Sequence, residues 1–90
     1  MDQHPNKHPK ITYTLAIERT GQWTLNLLDI KYVYETTAAG SANLLIGIEG
    51  RADDLIIKYN RDDLNKAKVK KFITTFENVQ QLAFTASLNF

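Results

Sequence analysis

The stretch 53–76, DDLIIKYNRDDLNKAKVKKFITTF, changes its hydrophobic period part-way along, and that change constrains the fold more than any other feature. Leu55, Ile57 and Tyr59 alternate with Asp54, Ile56 and Lys58, the period of two of a strand with one inward face. Asn60, Arg61, Asp62 and Asp63 interrupt the run with polar side chains. Val69, Phe72, Ile73, Phe76 and Val79 then recur at steps of three and four, which predicts an amphipathic helix over about 65–80. Asn65 suits its N-cap, because a side-chain oxygen there can accept from the free N–H groups of the first turn. In that frame Leu64 and Val69 take the two places of a hydrophobic staple, while Lys68 stands where a capping box needs Glu or Gln.

Upstream, the pattern is that of strands. Ile11, Tyr13, Leu15 and Ile17 alternate with Thr12, Thr14, Ala16 and Glu18, the clearest strand in the chain. Thr20, Gly21 and Gln22 read as a turn. Trp23, Leu25 and Leu27 continue the alternation on odd numbers. Leu28, Ile30, Tyr32 and Tyr34 then continue it on even numbers. A slip of one residue turns every later side chain to the other face, so a bulge or break is expected near Leu27 and Leu28, with the even set facing inward after it. The small, polar segment 36–43 reads as a loop, 44–49 as a strand, and Gly50 to Asp53 as the turn of a hairpin into the Leu55 strand. The tail after Gln80 is compatible with more helix or with a short extra segment.

Strands grouped ahead of a helix, rather than alternating with helices, indicate α+β. The expected architecture is a four-stranded, mostly antiparallel sheet with one C-terminal amphipathic helix packed on one face. Residues 1–10, with Pro5 and Pro9, read as a flexible lead to a single domain over 11–90. A chain of 90 residues supports one modest core. With a net charge of +1 there is no global field to recruit nucleic acid or a membrane surface. The absence of cysteine removes thiol chemistry and disulfides and fits a cytoplasmic setting. No apolar run approaches the roughly 18 residues of a membrane span.

The chain offers little chemistry. His4 and His8 stand four apart, but Pro5 and Pro9 oppose a helix there and no HExxH pattern surrounds them, so solvated histidines are expected and no metal site. The pairs Asp53–Asp54 and Asp62–Asp63 sit at strand ends, where solvated turn residues are usual. No catalytic constellation assembles, and a non-enzyme without cofactor is expected. The basic residues that crowd the helix start, Arg61, Lys66, Lys70 and Lys71, with Lys58 and Tyr59 at the adjacent strand end, are the candidate partner-binding surface.

The run LLIGIEGRADDLIIKYNRDDLNKAKVKKFITTF resembles the final segment of condensation domains of nonribosomal peptide synthetases. In that family a strand, a tight turn, a strand containing Tyr-Asn and a helix follow one another. Residues 44–49, Tyr59-Asn60 and the helix opening at 65–72 look like these parts, and His8-Pro9 and Tyr34-Glu35 are similar to upstream landmarks. The family's catalytic HHxxxDG motif lies in its other lobe, and this chain has no adjacent histidine pair. The resemblance therefore implies a truncated, non-catalytic piece. It would serve as an interaction or docking module of a nonribosomal peptide or hybrid polyketide assembly line. Its partner would be a carrier protein, a neighbouring synthetase domain or a linker peptide. The alternatives are a small free-standing binding or inhibitor protein, and a fragment that completes a split condensation enzyme.

Overall fold

The computed structural model describes residues 10–38, 41–60 and 64–88, with no account of the side chains of residues 38, 64 and 85–88. The fold is α+β, with a single C-terminal helix packed against antiparallel strands. Among the described residues the strands number five rather than four, and they form two sheets rather than one. β1 (Thr12–Ile17) and β2 (Gly21–Asn26) make a hairpin. β3 (Ile30–Ala38), β4 (Ser41–Ile48) and β5 (Leu55–Tyr59) make an antiparallel meander in the order β3-β4-β5. The helix α1 runs Leu64–Leu88.

The break expected near Leu27 is present, and it is larger than a bulge. A 3-10 turn at Leu27–Asp29 ends one sheet and begins the other. Asn26 fixes this exit: its Oδ1 accepts from the backbone N–H of Leu28 at 3.2 Å and from that of Ile11 at 3.2 Å. Leu27 N–H also donates to the Ile11 carbonyl at 2.8 Å, which holds the departing chain beside the start of β1. The first hairpin turns through Glu18, Arg19 and Thr20, slightly earlier than the expected Thr20-Gly21-Gln22, with Arg19 in the left-handed region at φ 75° and Thr20 N–H closing onto the Ile17 carbonyl at 3.2 Å.

The segment read as a loop, 36–43, is mostly strand. Thr36 pairs with Asn43, Thr37 with Ala42 and Ala38 with Ser41, so β3 and β4 extend almost to their junction. The β-branched threonines fit a pleated ladder, and the ladder outweighs the turn-like composition. The hairpin of β4 and β5 is as expected, with Leu44 opposite Ile57 and the turn closed at Gly50 (φ 83°) by Arg51 N–H donating to the Ile48 carbonyl at 3.1 Å.

One core cluster takes residues from all three parts. Leu15, Ile17, Leu25 and Leu27 come from the first sheet and its exit, Ile30, Ala42, Leu44, Ile46, Ile57 and Tyr59 from the second, and Val69 and Phe72 from α1. The Phe72 ring meets Tyr13 at 5.4 Å with the planes tilted by 60°. Ile73, Phe76 and Val79 are half-buried against this cluster, so the stripe read from the sequence is the face that packs.

The start of the helix differs from expectation, and its end takes one of the two courses open to the tail. It begins at Leu64, which places Asn65 inside the first turn rather than at the cap. Asn65 is buried, and its Oδ1 accepts from Glu18 N–H at 3.4 Å, tying the helix start to the first hairpin. The staple rests on Leu64, whose side chain lies outside the described residues. The helix also continues to Leu88, because Gln80 to Leu88 contains neither Gly nor Pro to stop it. The apolar stripe ends earlier: residues 81–84 are all exposed, Leu82 at 70%.

Candidate interaction surface

β3 contains a second change of phase that the sequence pattern conceals. Ile30 pairs with Ile48 and Tyr32 with Gly47, so Lys31 is an extra residue and the register shifts across it. Ile30 is buried in the core, but beyond Lys31 the odd residues take the core side, and Tyr32 and Tyr34 turn outward. They were expected to face inward, and the bulge is the reason they do not.

The outer face of this sheet is laid out in rows across three strands. Tyr34, Leu45 and Ile56 form one row, and Thr36, Asn43 and Lys58 the next. Tyr32 lies over Gly47 in the third. The two tyrosine rings stack at 5.7 Å with an interplanar angle of 28°. Tyr32, Tyr34 and Ile56 keep 39%, 48% and 55% of their surface exposed, and Leu45 is half-buried between them. The Tyr32 hydroxyl donates to Asp54 Oδ1, which fixes the ring. That hydrogen bond, helped by partial burial and by the negative charge of Asp54, raises the Tyr32 pKa above the ordinary tyrosine value. The result is an aromatic and aliphatic platform on a sheet, with one cation, Lys58, in the row beside it.

The residues picked from the sequence do not form one patch. Tyr59 is buried on the core side of β5, and its hydroxyl donates to Glu35 Oε2, so it is not a surface contact. Lys58, its neighbour in a strand, points to the opposite face and is exposed. Arg61 lies outside the described residues. Lys66, Lys70 and Lys71 are exposed, but Lys66 and Lys70 share one flank of α1. Lys71 is displaced by roughly 140° from Lys66 around the helix. Together with Lys68 it borders β1 at Tyr13 and Thr14. The lysines thus spread over the polar arc of the helix, opposite its apolar stripe.

A cleft of about 440 Å³ opens where the first hairpin turn, the start of β4, the end of β5 and the helix start converge, lined by Glu18, Arg19, Ser41, Lys58 and Asn65 among others. It brings the cations Arg19 and Lys58 together with the carboxylate of Glu18. Among the described residues no group of three or more His, Asp or Glu converges as a metal site, and no helix is long and apolar enough to cross a membrane. His4 and His8 lie outside the described residues.

Alternation continued through Lys31 conceals the tyrosine platform, and Glu35 reinforces that pattern, because a carboxylate that the structure places on the core side reads from the sequence as outward. No known family model, curated protein sequence or solved structure matches the chain.

Proposed function

We propose that this chain is a non-catalytic binding module that takes a partner protein on the outer face of the β3-β4-β5 sheet. The observation that carries the reading is the Tyr32–Tyr34 stack, exposed and continuous with Leu45 and Ile56. Tyrosine offers a large contact area at low conformational-entropy cost, and buried aromatic anchors dominate binding energy in protein interfaces. A protein suits the face better than a nucleic acid does: Lys58 is the sole cation in its three rows, whereas phosphate backbones call for several.

The chemistry of the face defines the partner as a protein that presents apolar side chains with a carboxylate placed to meet Lys58. The resemblance of residues 44–76 to the end of condensation domains supplies the class: an acidic carrier protein first, then a neighbouring domain or linker peptide of an assembly line. The order of a strand, tight turn, strand and helix is consistent with that resemblance. Lys66 and Lys70, exposed on one helix flank, form the rival surface.

Titrating isotope-labelled chain with carrier proteins and following backbone amide shifts tests the proposal. Perturbations should centre on Tyr32, Tyr34, Leu45 and Ile56, and Tyr34→Ala should weaken binding by about tenfold or more. Shifts confined to the Lys66–Lys70 flank, with binding abolished by reversing both lysines to Glu and indifferent to Tyr34→Ala, would move the site to the helix.

A further inference from the structure

The outer edge of β3 pairs with no described strand, and it is the longest strand of the fold at nine residues. Such an edge presents a row of backbone donors and acceptors to any chain that can align with it. Lys31 is the extra residue in the pairing with β4, and from Tyr32 to Ala38 that pairing is uninterrupted. No proline blocks the edge.

The geometry points to a second copy of this chain as the occupant, paired antiparallel along β3 about a two-fold axis at Val33. In that register each Val33 stands opposite its own copy, Tyr32 opposite the other Tyr34, and Lys31 opposite the other Glu35. The sequence Lys31-Tyr32-Val33-Tyr34-Glu35 is thus complementary to itself when reversed, with two opposite-charge pairs and two cross-strand aromatic pairs. Opposed residues in antiparallel strands share a face, so the tyrosines of both copies form one stripe across a six-stranded sheet. The other edge of this sheet, β5, has no such match, since self-pairing about Ile57 sets Lys58 against Ile56. Edge and outer face are different surfaces of the sheet, so this dimer and the docking proposal stand or fall separately.

Sedimentation of the full chain over a range of concentrations tests the pairing. A reversible dimer is expected, weakened about tenfold by Lys31→Glu, which sets like charges opposite each other twice. The double exchange of Lys31→Glu with Glu35→Lys should restore affinity to within about threefold. Because Glu35 also receives the Tyr59 hydroxyl, a measurement that leaves it intact is needed. The chain has no cysteine, so Val33→Cys introduces a single thiol at the two-fold axis. Directly opposed Cα atoms at about 4.5–5.5 Å fall within disulfide range. Oxidation should link Val33→Cys into a covalent dimer and leave Thr37→Cys unlinked. A chain that stays monomeric overturns the proposal. So does a dimer in which Val33→Cys links no better than Thr37→Cys, or in which Lys31→Glu leaves the affinity unchanged.

Discussion

The far end of the Tyr32 ring fills the space where a side chain at Gly47 would begin. A Cβ on residue 47 would stand 2.8 Å from the ring's Cε1 and nearer still to Cζ and Cε2. Glycine weakens a strand interior by leaving nothing to pack. Here the ring of the cross-strand tyrosine supplies that packing, and Gly47 is buried as a result. The pairing depends on the extra residue at Lys31, which alone brings Tyr32 to the face where Gly47 is bare.

Gly47→Ala is therefore expected to destabilise the fold by about 1–3 kcal/mol, the range for forcing atoms into an occupied site. Chemical denaturation measures the loss. The Tyr32–Tyr34 stack should be lost with it, visible as a change in the near-ultraviolet circular dichroism of the tyrosines. An unchanged midpoint and spectrum would mean that the ring does not rest there.

The hydrogen bond from Tyr32 to Asp54 predicts a pH dependence with a definite sign. The folded chain binds the phenolic proton more tightly than the unfolded chain does. The associated stability is whole below the unfolded tyrosine value of about 10 and is lost as pH rises through the raised folded value. Asp54→Ala removes the acceptor and its charge. Ultraviolet titration should then show one tyrosine ionising at lower pH than in the parent chain, and the alkaline loss of stability attributable to Tyr32 should shrink.

The helix stripe was legible in the sequence, but burial along it is graded. Phe72 is fully enclosed and touches Tyr13, while Phe76 is half-buried and Leu82 lies on the exposed part of the helix. Phe72→Ala should cost about 3–5 kcal/mol and Phe76→Ala clearly less. Leu82→Ser should change stability by no more than about 0.5 kcal/mol. Denaturant titration of the three variants gives the ranking, and equal costs at 72 and 82 would contradict the packing.

What the sequence revealed followed from uninterrupted periodicity. The strand at Leu15 and Ile17, the hairpin of Leu44 with Ile57 and the helix through Val69 and Phe72 each keep one period from end to end. What it concealed arose where a single residue reset the phase or where local composition misled. Lys31 sends the pattern to the opposite face without any glycine or proline to mark it. The exit at Leu27 was visible as a slip, but whether a slip bends one sheet or starts another depends on contacts distant in sequence, here Asn26 with Ile11. The threonines at 36 and 37 resembled a loop until Asn43 and Ala42 were placed opposite them. The basic cluster looked contiguous in sequence, yet Lys66 and Lys71 flank the helix on different sides, and Tyr59 beside Lys58 faces the core.

The docking face requires that Tyr32 and Tyr34 face solvent. Relaxation of the tyrosine ring protons by a soluble paramagnetic agent tests this directly, since the chain has four tyrosines that divide into two kinds. Tyr32 and Tyr34 should relax strongly, Tyr13 less and buried Tyr59 least. Strong protection of Tyr32 and Tyr34, to the level of buried Tyr59, would mean that alternation runs unbroken through Lys31, and the account would be wrong at its centre.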